Sequence, residues 1–162
     1  MKTIHAPWRI NYILGPKPDG CVFCLPEQTD TDEQRFVLHR AEHCFVIMNI
    51  YPYSNGHLMV TPYRHVSNIT ELEPAELHEI MDYVQKSAFV LRQAFNPQGI
   101  NIGINVGEAA GAGIREHLHV HLVPRWNGDH SFMAVMAETN VIPEHLRSTY
   151  GRLKPLFNNL QR

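Results

Sequence analysis

The chain has 162 residues, 44% hydrophobic and 19% charged, which excludes wholesale disorder; a chain this long buries roughly 70% of its unfolded surface and needs no disulfides to hold a core. Fourteen Lys and Arg against sixteen Asp and Glu leave a formal net charge of −2, which excludes a basic nucleic-acid coat and a polybasic membrane binder. No apolar run approaches the 18 residues of a membrane span, and residues 1–11 lack the apolar stretch of a signal peptide.

Length alone predicts a single domain. Residues 1–35 read as an irregular N-terminal segment, 36–125 as a core, and 126–162 as a C-terminal extension carrying a helix. The core opens with short apolar, β-branched runs at 36–39, 44–49 and 57–61, the last ended by Pro62, with the turn-rich stretch Tyr51 to Gly56 before it. A helix follows. Glu71, Glu73 and Pro74 suit its first turn, Leu77, Ile80, Met81, Val84, Ala88, Leu91 and Phe95 form one apolar stripe, and Asn96 to Gly99 stop it. Strands are expected at 100–106 and 117–123. A second amphipathic helix is expected from Pro143, with Leu146, Tyr150, Leu153 and Phe157 on one face. Strands joined as hairpins and segregated from helices read as α+β, with a mainly antiparallel five-stranded sheet, one long central helix and a C-terminal helix.

Three cysteines, an odd number, without a signal peptide argue for a reducing cytoplasm. Cys21 and Cys24 form a Cys-x-x-Cys pair in a loop, which reads as half a zinc site, a redox dithiol or two structural thiols. Eleven histidines are the compositional outlier. Three of them stand in His117-Leu118-His119-Val120-His121. In a strand, successive side chains alternate faces, so the three imidazoles share one face, about 7 Å apart, while Leu118, Val120 and Leu122 line the other. Imidazole serves as metal ligand, acid, base or nucleophile near neutral pH; the bland alternative is a solvated polar face. The preceding loop carries Gly107, Gly111 and Gly113, whose backbone N–H groups can approach an anion.

With its alternating apolar positions, His117 to Val123 resembles the histidine-triad (HIT) family signature. Phe45 to Asn49 and Gly56 to Pro62 are similar to that family's nucleoside-binding strands, and Gly111 to Asp129 is similar to its bacterial branch related to diadenosine tetraphosphate phosphorylases. The resemblance implies a homodimer that cleaves at the α-phosphate of a nucleotide through a covalent nucleotidyl-histidine. It makes His119 the nucleophile, His121 an imidazolium facing phosphate or leaving group, and His57 a supporting histidine. It gives Asn49 to the ribose, Phe45 and Ile47 to the base, and Asn105, Ala112 and Gly113 to the phosphates. It implies a structural zinc held by Cys21, Cys24, His65 and His117, and it leaves His43, His78, His130 and His145 as surface residues. The implied substrate is an adenosine-type nucleotide, most simply a dinucleoside polyphosphate such as diadenosine tetraphosphate, attacked by phosphate or water. Hydrolysis of nucleoside phosphoramidates and a non-catalytic nucleotide-binding module are the alternatives. A divalent cation on the substrate phosphates is a further candidate. Neither nucleic acid nor a membrane is expected as partner.

Overall fold

The computed structural model describes residues 20–129 and 144–160. Five strands, β1 (Val37–Arg40), β2 (Cys44–Met48), β3 (Leu58–Pro62), β4 (Gly99–Ile104) and β5 (Val120–Arg125), form one sheet in the order β1-β2-β3-β5-β4. Every neighbouring pair is antiparallel. Two helices, α1 (Pro74–Phe95) and α2 (Leu146–Asn158), complete the α+β arrangement. The onset expected for the second helix at Pro143 lies outside the described residues, as do residues 1–19 and His130.

The period-2 pattern of the strands assigns their two faces. Cys44, Val46, Met48, Leu58, Val60, Val120 and Leu122 pack under Ile80, Val84 and Leu91 of α1 and under Tyr150, Leu153 and Phe157 of α2. On the other face, Val37, Phe45, Ile47 and Met59 are covered by Phe23 from the N-terminal segment. The Arg40 guanidinium pins that segment by donating to Asp32 and to the Pro26 and Gln28 carbonyls.

Local chemistry sets the ends of α1. Pro74 occupies its first turn, and Glu73 and Glu76 form a reciprocal capping box. Asn96, left-handed at φ 46°, caps the C-terminus. From the body of α1, the Glu79 carboxylate accepts the backbone N–H groups of Glu42, His43 and Cys44 at 3.3, 2.5 and 3.0 Å, which locks the start of β2 to the helix.

The structure corrects two expectations in ways that matter. The apolar stripe of α1 is two faces, not one. Ile80, Val84 and Leu91 are buried on the sheet, whereas Leu77 and Met81 are 39% and 51% exposed, and Phe89 is 62% exposed beside them. One helix in contact with one sheet cannot bury more than about a third of its circumference. The histidine strand also begins late, at Val120 rather than His117. Continuing the β3–β5 register would set Pro62 opposite Leu118, but Pro62 has no N–H to donate. Instead the Thr61 hydroxyl donates to the Leu118 carbonyl at 2.7 Å, and the Leu118 N–H goes to the Val66 carbonyl at 2.7 Å. Similarly, β4 runs 99–104 rather than 100–106, ending where the glycine loop turns away. β1 and β3 are each shifted by one residue, so that Pro62 lies inside β3 rather than ending it, β2 stops one residue early, and β5 runs two residues beyond Val123.

Candidate active site

Where β5 leaves the ladder, its lead-in still gathers His117 and His119 beside His121, for Phe23 touches the first two rings and His119 packs edge-on against His121. His57, at the entry of β3, joins them, and successive ring centroids are 4.6 Å (His119–His121) and 5.1 Å (His121–His57) apart. His57, His117 and His119 are buried and His121 half-buried.

The main chain fixes the tautomer of each ring. His117 Nε2 lies 2.8 Å from the Pro62 carbonyl, which can only accept, so the proton sits on Nε2 and the Nδ1 lone pair is free. His119 Nδ1 lies 2.8 Å from the His117 carbonyl, so Nδ1 carries the proton and Nε2 keeps its lone pair. His57 Nδ1 accepts the Tyr53 backbone N–H at 3.1 Å, so His57 Nε2–H donates to His121 Nδ1 at 2.9 Å. That leaves His121 Nε2 as an N–H donor. The row therefore sets one imidazole lone pair, at His119 Nε2, beside one N–H donor, at His121 Nε2, while the other lone pair, at His117 Nδ1, faces the cysteines.

The free lone pair of His117 points at sulfur. Cys21 Sγ is 3.3 Å and Cys24 Sγ 3.9 Å from His117 Nδ1, and Cys24 Sγ is 3.3 Å from His65 Nδ1. The four donor atoms lie within 4.8 Å of one another. Tetrahedral zinc, with Zn–S about 2.3 Å and Zn–N about 2.0–2.1 Å, sets its donors roughly 3.3–3.8 Å apart. Two thiols, two imidazoles and a carbonyl orienting the His117 ring thus fit a closed four-coordinate metal site. Among the described residues this cluster is the one group of three or more donors with that spacing. Phe23, between the two cysteines, lays its ring 5.0 Å from His119 and 5.6 Å from His117, so the same loop buries His119.

Burial lowers the pKa of all four rings. His57 is pushed down to about 3, by burial and then by the neighbouring His121 and His119, and His121 to about 4, by burial and then by His119. His117 and His119 are also lowered, chiefly by burial. The imidazolium expected at His121 is therefore not the state of the free site at pH 7. Its Nε2–H donates from a neutral ring.

The other expected residues fall into place unevenly. Phe45 and Ile47 share the face of the histidine row but are covered by Phe23 and Met59, Phe45 completely. The Asn49 side chain is engaged locally, its Oδ1 accepting the Tyr51 N–H at 2.9 Å and its Nδ2 lying 3.4 Å from His57 Nδ1. In the glycine loop, Gly107 and Gly111 take φ of 81° and 83°, which only glycine adopts freely. The loop closes on itself, so the Ala112 N–H is spent on the Gly107 carbonyl at 3.4 Å, while the N–H of exposed Gly113 has no backbone partner among the described residues. Asn105 is half-buried at the loop's start. Outside the site, His78 and His145 are exposed as expected, His145 also capping α2 by accepting the Arg147 N–H, whereas His43 is half-buried. Phe23, Tyr53 and the Pro62 carbonyl were not singled out from sequence. An aromatic residue inside the Cys-x-x-Cys pair was the available signal for the first, whereas backbone contributions leave no trace in residue identity.

The HIT domain model matches residues 30–128. The chain belongs to the histidine-triad (HIT) family. It is 39% identical over 157 residues to the AP-4-A phosphorylase of Mycobacterium tuberculosis, a match spanning 92% of this chain and 80% of that one. It is 31% identical over 121 residues to an asymmetrical bis(5'-nucleosyl)-tetraphosphatase of Schizosaccharomyces pombe, spanning 75% and 63%. A crystal structure of a zinc-bound histidine triad family protein from Mycobacterium smegmatis superposes with a TM-score of 0.67 at 26% identity, covering 87% of this chain and 95% of that one. The HIT signature is thus the lead-in and start of β5.

The buried neutral histidines make stability depend on pH. Unfolded, both imidazoles titrate near 6.5; folded, His57 and His121 stay neutral to about 3 and 4. Their contribution is complete above pH 6.5 and is lost as pH falls below it, at up to about 1.4 kcal/mol per pH unit for each ring. Urea unfolding at pH 7.5 and pH 5 should show a smaller acid loss for His57→Gln than for the wild type. Equal losses would mean that the folded His57–His121 pair takes up protons as readily as the unfolded chain.

Proposed function

We propose that this HIT protein is an enzyme that transfers a nucleotidyl group from a dinucleoside polyphosphate, diadenosine tetraphosphate being the best candidate, to inorganic phosphate through a covalent intermediate on His119. The observation that carries this reading is the His119 Nδ1–H bond to its neighbour's carbonyl, which leaves Nε2 as the one free imidazole lone pair beside an aimed N–H donor.

In the first step His119 Nε2 attacks the α-phosphorus, an N–P bond forms, and the bridging P–O bond breaks with its electron pair on the departing oxygen. His121 Nε2–H is suited to donate to that oxygen as charge grows there. In the second step a phosphate oxygen attacks the same phosphorus and the N–P bond breaks. Diadenosine tetraphosphate and phosphate thus give ATP and ADP. Phosphate as acceptor is favoured by the loop around Gly113, which offers main-chain N–H and no side chain to position water, and by the phosphorylase relative. On this reading Gly113 and Asn105 face the phosphates, Asn49 faces the ribose, and Ile47 and Phe45 back the base.

The reading includes a structural zinc on Cys21, Cys24, His65 and His117, supported by the donor spacing and by the zinc-bound M. smegmatis relative. When bound, zinc supplies a crosslink between the N-terminal loop and the histidine segment. His117, held at both ring nitrogens, then presents its carbonyl to His119. The reading also includes a single-domain chain acting as a homodimer in a reducing cytoplasm. Supporting it are the exposed Leu77, Met81 and Phe89 on α1, the outer edge of β4, unpaired among the described residues, and three free thiols. No helix among the described residues is long and apolar enough to cross a membrane.

Three outcomes are expected. Wild-type protein given diadenosine tetraphosphate should yield ADP and ATP only when phosphate is present, and His119→Ala should lose at least about a thousandfold in turnover while still binding nucleotide. AMP and ATP formed without phosphate would make water the acceptor, and wild-type turnover in His119→Ala would remove it as nucleophile. Purified protein should hold about one zinc per chain by atomic spectroscopy, and Cys24→Ser should lower both occupancy and melting temperature. In light scattering the wild type should run at twice the 18.6 kDa chain mass and Phe89→Glu at the monomer mass; a wild-type monomer would sink the dimer.

A further inference from the structure

The histidine row does not end at His57. The Tyr53 ring lies 4.7 Å from the His57 ring, tilted by 43°, and 5.9 Å from the His121 ring, tilted by 32°. Phe23 closes the opposite end of the row against His117 and His119. The two aromatic caps differ in one respect. Phe23 is buried, whereas Tyr53 is 55% exposed, with the exposed Ile50 and Tyr51 in the same loop. An aromatic residue whose ring touches His57 and His121 while the residue stays exposed is not serving the core.

The ring is nevertheless held. Its own backbone N–H is bound to His57 Nδ1, the Tyr51 N–H to Asn49 Oδ1, and the His57 N–H to the Ser54 carbonyl. Pro52 stiffens the loop, and Asn55 is anchored to Glu144 and Thr149 at the start of α2. A preorganised exposed ring binds a flat partner with little ordering cost.

We propose that the exposed face of Tyr53 is a stacking platform for the nucleobase of the departing nucleotide. The inference rests on the dinucleoside polyphosphate reading above and adds a determinant of leaving-group specificity to it. His121 Nε2–H, the donor suited to the departing oxygen, stands between His119 and Tyr53. The steps from His119 to His121 (4.6 Å) and from His121 to Tyr53 (5.9 Å) are each shorter than the span of a four-phosphate chain. A leaving group that passes His121 meets Tyr53 next. The base of the attacked nucleotide is assigned elsewhere, to Ile47 and Phe45 on β2, across β3 from His121. Every nucleobase has a π-face, so the platform would select for the presence of a distal base more than for its identity.

The test compares two substrates cleaved at the same α-phosphorus. Diadenosine tetraphosphate releases a nucleotide, whereas adenosine 5'-tetraphosphate releases inorganic triphosphate with no base. The readout is the ratio of kcat/KM for the first to kcat/KM for the second. Tyr53→Ala should lower that ratio about tenfold, in the range that loss of one base–aromatic stack gives, and Tyr53→Trp should keep it within about twofold. A Tyr53 that merely props His57 and His121 would depress both substrates equally and leave the ratio unchanged, and that result overturns the proposal. A Tyr53→Trp ratio as low as that of Tyr53→Ala also overturns it. Wild-type protein that cleaves neither substrate would overturn the dinucleoside polyphosphate reading itself, and this proposal with it.

Discussion

The carbonyl oxygens of Pro62 and His117 each accept an imidazole N–H at 2.8 Å, and the rest of the site follows from those two bonds. A neutral imidazole carries one proton and one lone pair, and a carbonyl can only accept. The Pro62 carbonyl therefore turns the His117 lone pair toward the cysteines, and the His117 carbonyl leaves the lone pair of His119 on Nε2. A buried histidine without such a partner would exchange tautomers and present the wrong nitrogen part of the time. Here the backbone settles the choice before any ligand arrives, which is the preorganisation that makes polar groups effective in a site screened from water.

Those carbonyls are available because the β-ladder stops early. Pro62 cannot donate across to Leu118, so the chain leaves the ladder before Val120 and the polar groups of Leu118 are taken by the Thr61 hydroxyl and the Val66 carbonyl. The same departure brings the loop after β3, and His65 with it, alongside the histidine segment. One proline thus sets where sheet ends and site begins. The two faces of the sheet then divide the labour. The face under α1 and α2 is packed with aliphatic and aromatic side chains, and the other keeps its histidines on a small cluster closed by Phe23.

Burial has an electrostatic consequence. With the rings held neutral at pH 7, the free site does not attract polyphosphate through histidine charge, and the chain's net charge of −2 adds no long-range pull. Recognition on the proposed reading then rests on directed donors, namely His121 Nε2–H and the Gly113 N–H, and on flat apolar surfaces. Neutral imidazole is also its nucleophilic form, so the burial that withholds charge suits His119 to the role proposed for it.

Much of this was legible in residue order. Strict alternation in His117 to Leu122 put three imidazoles on one side because the strand period is 2, and the shared contacts of their rings show that His117 and His119 stay beside His121 outside the ladder. The capping residues Glu73, Pro74 and Asn96 marked the helix by local chemistry alone. The stripe of α1 was legible only as apolar, because 3.6-residue spacing cannot say which of two adjacent apolar flanks meets the sheet. The structure gives Ile80, Val84 and Leu91 to the core and leaves Leu77, Met81 and Phe89 outside. Tautomers, the neutral state of His121 and the position of Tyr53 were beyond sequence for a shared reason. Each depends on backbone atoms, or on burial, contributed by segments distant in the chain. The sequence by itself determined which chemical groups lie on which face of each element. The tertiary structure alone decided which nitrogen of each histidine is free, because that choice belongs to carbonyl and amide groups that every residue carries and no residue name reveals.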